Sequence, residues 1–324
     1  MGGVLAALAA AIGAVAAQVG YIACAERVLE RLPSTRGRAL RPWLWLTPAF
    51  GFIAIFLLYP ALNTGYLSAM GPRSEQFVGL ENYRFVFTNR DMLVAFRNNL
   101  LWLTLFTAIT VGLGLAMAAL TDRVRYESLA NSALFLPMAI SFVAAAVIWK
   151  FVYEFRPAGA PQIGALNALL TGLLPNVQPV AWLVNRSTNN LALIGVAAWV
   201  WVGFCLVIFS AAIKGIPSAI LDAARADGAT EWQVFARITV PMLAPTVAVV
   251  ATTMVIYSLK AFDIVYVMTS GNFGTEVIAN RMYKEMFTFR DFGRASAIAV
   301  VLFVATAPVL VANIRRWRRQ EAAR

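Results

Sequence analysis

An all-α, polytopic membrane bundle is the fold class this sequence predicts, and three observations carry that prediction. Of its 324 residues, 60% are hydrophobic and only 13% charged, with a mean hydropathy of +0.70, whereas soluble domains carry about 25% charged residues. The apolar residues gather into runs that match the roughly 20 residues of helix needed to cross a hydrocarbon core. Those runs lack the alternation of apolar and polar positions that barrel strands require, and only helices or closed barrels satisfy their backbone in lipid.

Seven runs follow in order. Val4 to Ala25 is the first; no Lys or Arg precedes it and Arg27, Arg31, Arg36, Arg38 and Arg41 follow. That flank predicts an uncleaved span entered from outside, with a cleaved signal peptide as the alternative that Ala23-Cys24-Ala25 leaves open. Trp43 to Asn63, Asn99 to Leu120 and Leu129 to Val152 come next, then Leu191 to Ile213, Met242 to Phe262 and Ala295 to Ile314. Pro48, Pro137, Pro245 and Pro308 fall inside these runs and predict kinks, since neighbouring helices re-satisfy the freed carbonyls. Gly112 and Gly114, with Ala116, Ala118 and Ala119, mark a face suited to close helix packing.

Orientation follows from the arginines. The loops after odd-numbered runs, with Arg123, Arg125, Lys214, Arg225 and Arg237 among them, carry more basic residues in shorter segments than the opposite loops, which hold Arg73, Arg84, Arg90, Arg97, Arg156, Arg186, Arg281, Lys284, Arg290 and Arg294. The positive-inside rule therefore places the first set in the cytoplasm, and the tail Arg315-Arg316-Trp317-Arg318-Arg319 anchors the C-terminus there, with the N-terminus outside. On this reading the net charge of +11 serves orientation and anionic headgroups rather than nucleic acid. The expected organisation is an extra N-terminal helix with a basic cytoplasmic linker over residues 1–41, then a permease domain over residues 42–324 in the cell (inner) membrane.

Several chemistries lack their residues. There is no histidine, and Cys24 and Cys205 lie far apart inside apolar runs, so metal ligation, His-based acid–base catalysis and a disulfide framework have no footing. No Gly-x4-Gly-Lys-Ser/Thr loop is present to cradle phosphates. The expectation is a protein that is not an enzyme, with no catalytic residue, metal or bound cofactor of its own.

The loop between the fifth and sixth runs, residues 215–241, is too long for a mere connector. Ser218, behind Pro217, is placed to cap a helix through Ala226; Gly228 supplies a left-handed stop, and Thr230 caps a second helix from Glu231 to Arg237. The spacing Asp222-Ala223-Ala224, three residues, Gly228, nine residues, Ile238, one residue, Val240-Pro241 resembles the EAA signature of permease subunits of binding-protein-dependent ABC importers. Asp222 stands where Glu is usual, keeping the charge but shortening its reach, and Val240 stands where Leu is usual. Phe77 to Tyr83, Leu136-Pro137 with Ile148-Trp149, Trp201-Val202-Gly203-Phe204, Gly215-Ile216-Pro217 and Gly293 to Ala297 extend the likeness to the maltose-type carbohydrate permeases.

That resemblance implies a type I ABC importer permease fold, a six-helix core plus one N-terminal helix, and a sugar or oligosaccharide cargo of the maltose or alpha-glucoside kind. It implies that Asp222, Ala223, Ala224, Gly228, Ala229, Ile238 and Pro241 couple the bundle to a partner ATPase dimer, where ATP and Mg are bound. It also implies a second permease subunit and an extracytoplasmic sugar-binding protein, and it places pocket-lining residues on the sixth run. There Met254, Tyr257, Ser258 and Ala261 fall at helical spacing on one face, either to stack and hydrogen-bond a sugar or to pack against another helix. Trp201 and Phe204 are further ring candidates, although Trp199 and Trp201 serve equally as interface anchors. Lys260 and Asp263 are expected to pair with each other near the outer end. The rival functions are an ABC permease for another small polar solute and an ion-coupled secondary transporter, which normally buries several ionisable groups at mid-membrane.

Overall fold

A computed structural model describes residues 2–31, 34–122, 124–174 and 176–322 of the chain; Arg123 and Arg324, counted above toward the inner face, lie outside them. Helices are the only extended regular elements among the described residues. By backbone contacts the chain divides into two units, Met1–Tyr66 and Leu67–Arg324.

In the first unit, α1 (Gly2–Glu30) and α2 (Ser34–Ile53) form a helical hairpin, and a π-helical turn over Ala54–Leu58 leads into α3 (Tyr59–Leu67). The hairpin is closed by polar contacts at its base. Tyr21 donates its hydroxyl to Leu44 O at 2.9 Å, and Glu26 accepts from Arg41 Nε at 3.1 Å and Trp45 Nε1 at 2.7 Å. Residues Gly37–Leu67 form one apolar helical stretch of 31 residues, none of whose most apolar window is buried. Leu57, Leu58 and Tyr59 are among its exposed side chains, and a surface that apolar needs lipid or a protein partner.

The second unit begins with α4 (Glu81–Thr88), α5 (Arg90–Leu101), a π turn over Trp102–Phe106 and α6 (Thr107–Thr121). It continues with α7 (Glu127–Phe135), a 3₁₀ turn over Leu136–Ala139, α8 (Phe142–Val152), α9 (Ala165–Leu173) and α10 (Asn189–Lys214). After these come α11 (Ser218–Ala226), α12 (Glu231–Val234), α13 (Val240–Met242), α14 (Ala244–Leu259), α15 (Asp263–Met268), α16 (Ile278–Tyr283) and α17 (Phe292–Ala322).

The core forms around α10. Leu193, Ile194, Leu206 and Phe209 are fully buried with Trp102, Phe106 and Met254 of the neighbouring helices. Glycines set how closely those helices approach. A Cβ on Gly114 of α6 would stand 2.4 Å from Cys205 Cβ, and one on Gly203 of α10 would stand 2.2 Å from Leu134 O. Gly112, expected to share that role, has nothing within 4 Å.

Two expectations fail here. The fourth run, expected as one span from Leu129 to Val152, is two helices bent by 99° between Ala139 and Phe142. Pro137 sits in the 3₁₀ turn before the bend and Ser141 caps α8 by accepting from Ala144 N at 3.2 Å, so the chain restarts its helix instead of kinking. The sixth run likewise bends by 69° between Glu231–Met242 and Ala244–Leu259.

Sequence segments far apart meet at one end of this unit. Asn82 Nδ2 donates to Ser68 O at 2.9 Å and Met70 O at 2.7 Å, and a Cβ on Gly293 would stand 2.0 Å from Met70 O. The Phe77 to Tyr83 and Gly293 to Ala297 stretches are thus two sides of one contact.

Candidate functional site

The helical hairpin after α10 is built as a rigid projection. Pro217, not Ser218, occupies the N-cap of α11, and no side-chain cap bond forms there; the proline ahead of the first turn leaves Ser218 inside the helix. At the other end Gly228 adopts φ +85°, Gly228 N donates to Arg225 O and Ala229 N donates to Ala224 O, both at 3.0 Å. This paired pattern is a Schellman stop, which satisfies two of the otherwise orphaned helix-end carbonyls. Thr230 then forms a capping box with Gln233 at the start of α12, satisfying two orphaned donors. The second helix runs on past the expected Arg237, through a π turn over Phe235–Thr239 into α13.

Charge closes the same hairpin. Arg225 reaches Glu231 Oε1 at 2.8 Å and Asp222 Oδ1 at 2.9 Å, and these carboxylates hold its guanidinium above its ordinary range, Glu231 more than Asp222. Asp222 is 66% exposed at its side chain, so the pair is open to exchange with an outside cation. Ala223, Gly228 and Pro241 are exposed, while Ala224, Ala229 and Ile238 are half-buried. Trp232, 72% exposed, is an apolar contact surface that the sequence did not single out, although its place two residues after Thr230 on a solvent-facing helix is a signal of it.

The cargo candidates divide. Tyr257 lies at the centre of a ring cluster, its centroid 4.9 Å from Trp201, 5.2 Å from Phe106 and 5.4 Å from Phe142, and Phe204 stands edge-on to Trp201 at 5.4 Å. Trp201 Nε1 is buried there without a hydrogen-bond partner. Trp199 packs edge-on against Trp149 at 5.6 Å, so neither tryptophan is an interface anchor. Met254 and Ser258 are fully buried, and Ser258 Oγ donates to Val255 O at 2.8 Å. Ala261 lies beyond the end of α14 at Leu259, so it does not continue the helical face. Phe106 and Phe142 were missed because they come from other helices, one following a π turn and the other the bend. Lys260 and Asp263 form no ion pair with each other.

Two asparagines, also missed, fasten the end of this helix. Asn99 Nδ2 donates to Ser258 O and Leu259 O, both at 3.3 Å, while its Oδ1 accepts from Ile278 N at 2.8 Å. One buried amide therefore caps the C-terminus of α14 and the N-terminus of α16. Beside it, Asn98 Nδ2 donates to Gly274 O and Glu276 O, both at 2.8 Å.

A family model described as a binding-protein-dependent transport system inner membrane component matches residues 108–320. The osmoprotective compounds uptake permease protein GgtC of a Synechocystis strain is 59% identical over 281 residues, covering 87% of this chain and 100% of that protein. The alpha-glucoside transport system permease protein AglF of Rhizobium meliloti is 44% identical over 283 residues, covering 87% and 84%. In fold the chain is similar to a chain of a bacterial alginate ABC transporter solved with an alginate pentasaccharide-bound periplasmic protein, with TM-score 0.75, 23% identity and 89% and 98% of the two chains covered.

Proposed function

The chain belongs to the binding-protein-dependent transport system inner membrane component family, and from that membership we propose a specific division of labour for it. It is the membrane-spanning subunit of an ABC importer, and its cargo is a sugar or small oligosaccharide. The carrying observation is the hairpin of α11 and α12, stopped at Gly228 and capped at Thr230. Its exposed Asp222, Ala223 and Trp232 dock with Ala224, Ala229, Ile238 and Pro241 onto a partner ATPase dimer in the cytoplasm. The C-terminus then lies inside and the N-terminus outside.

Motion passes along α10. Its 26 residues make a helix about 39 Å long, and Lys214 at its inner end leads directly into the hairpin. ATP-driven closure of the ATPases displaces the hairpin and biases the bundle between two states that differ in their contacts. The second permease subunit completes the cavity.

For cargo, support comes from AglF, a permease of an alpha-glucoside transport system, and from the ring cluster. Trp201, Phe204 and Tyr257 offer faces for stacking a sugar, while the orphaned Trp201 Nε1 is a donor awaiting an acceptor. A buried donor without a partner costs roughly 1–3 kcal/mol, which a cargo hydroxyl recovers. Met254 and Ser258 support that cluster from behind.

The test is uptake of labelled alpha-glucoside into vesicles containing the complete complex. Uptake that requires ATP and stops with vanadate supports the proposal; uptake driven by an ion gradient without the ATPase subunits overturns it.

A further inference from the structure

At the end of the second unit opposite the coupling hairpin lies a cavity of about 870 Å³, formed by the start of α5, the loop before α10, the Gly271–Gly274 loop and α16. Asn189, the first residue of α10, donates to Phe273 O of this lining at 3.0 Å. The cavity and the hairpin are therefore separated by the length of α10.

Charge in this cavity is one-sided. Both carboxylates that line it are already engaged: Asp91 Oδ2 accepts from Arg281 at 2.8 Å, and Glu276 Oε2 accepts from Lys284 at 2.7 Å. Arg281 is further held by the buried Glu285. Arg90, Arg97 and Arg186 also line the cavity, are exposed, and have no carboxylate partner. Arg97 Nη2 makes its bond to the neutral Asn98 Oδ1 at 3.1 Å. Three uncompensated guanidiniums converging on one recess, with fork geometry matched to carboxylates, concentrate a positive potential there.

The wall of the recess is rigid. Ser270, Gly271, Phe273 and Gly274 all have positive φ, a strained path for the two that are not glycine. It is held by Asn98 on Gly274 O, by Asn189 on Phe273 O, and by a 2.7 Å bond between the Thr269 and Thr275 hydroxyls. The surface presented to a partner is thus preorganised.

We propose that this recess seats an acidic projection of the extracytoplasmic substrate-binding protein, whose carboxylates pair with Arg90, Arg97 and Arg186. The inference rests on the import reading above, which puts this end of the bundle outside. A neutral sugar offers these arginines no countercharge. The ring cluster at Trp201 also lies twelve residues down α10 from Asn189, about 18 Å deeper, so the recess is separate from the proposed cargo site.

The test measures binding of the fluorescently labelled, cargo-loaded binding protein of the same system to the complete complex in nanodiscs, across a sodium chloride series. Changing Arg90, Arg97 and Arg186 together to Gln should raise Kd at least about tenfold and flatten its salt dependence, with basal ATPase activity retained. The single variant Arg186→Glu, on an exposed loop, supplies the same readout if the triple variant does not assemble. Rescue of Arg186→Glu by an acid-to-lysine change on the binding protein supports the pairing directly. An unchanged Kd and salt slope, with the wild-type complex responding normally to the binding protein, overturns the proposal alone. Altered uptake of an acidic oligosaccharide without altered Kd assigns the recess to cargo and also overturns it. A wild-type complex that neither binds nor responds to the protein overturns the import reading itself.

Discussion

At Gly228 the backbone has φ +85° and open space beyond it, so conformation, not crowding, dictates glycine. A β-branched residue there costs of order 1–3 kcal/mol of local strain and loosens the Schellman stop that aims α12. Gly228→Val is expected to insert and fold while lowering ATP-dependent uptake at least about tenfold, and Gly228→Asn to do less harm because Asn tolerates the left-handed region. Vesicle uptake read beside ATPase activity checks both. At Trp201 the expected effect is on affinity. Trp201→Phe keeps a ring and deletes the unpartnered Nε1 donor, so the cargo Kd should rise by about threefold to tenfold, the worth of one hydrogen bond of 0.5–1.5 kcal/mol. An unchanged Kd from equilibrium binding assigns the indole to packing.

Among the elements, the coupling hairpin was the most legible in sequence, because its signals are local. Gly228 and Thr230 declare a stop and a start through their own backbone chemistry, and both do so in the structure. The cap at Ser218 was misplaced by one residue because Pro217 takes the N-cap. The fourth span was legible as apolar and illegible as bent: hydropathy reports what a segment dissolves in, while the 99° turn depends on a 3₁₀ turn and a restart at Ser141. The bend also carries the close approach of Leu134 to Gly203, where an added Cβ would stand 2.2 Å from a carbonyl oxygen. Gly203→Ala is therefore expected to destabilise the protein by about 1–3 kcal/mol, lowering its melting temperature in detergent by several degrees. Gly112→Ala, with nothing within 4 Å, should be neutral in the same measurement.

For the whole molecule, the apolar runs and their order were readable because lipid imposes a length on every crossing. What periodicity on one helix cannot show is which helices share a site. Met254, Tyr257, Ser258 and Ala261 share a face only while α14 continues, and it ends at Leu259. The rings around Tyr257 come from Phe106, Phe142 and Trp201, on three other segments. Asn99 likewise joins residues 159 and 179 positions away, a pairing with no local signature. Substituting it tests how the two ends of the bundle communicate. Asn99→Ala removes the amide that ties α14 to α16, leaving buried backbone groups unpaired at a cost of roughly 1–3 kcal/mol. It should raise hydrogen exchange at Leu259 and Ile278 more than in α10.

The central claim is that the hairpin is the point where an ATPase grips this bundle, and site-directed cross-linking reads that contact directly. With Cys24 and Cys205 replaced, Ala223→Cys on the exposed face of α11 is paired with single cysteines along the groove of the ATPase subunit in the complete complex. The account predicts a specific permease–ATPase adduct whose yield changes when ATP binds. Absence of any adduct, together with labelling of that cysteine by an impermeant reagent from outside intact cells, would contradict it.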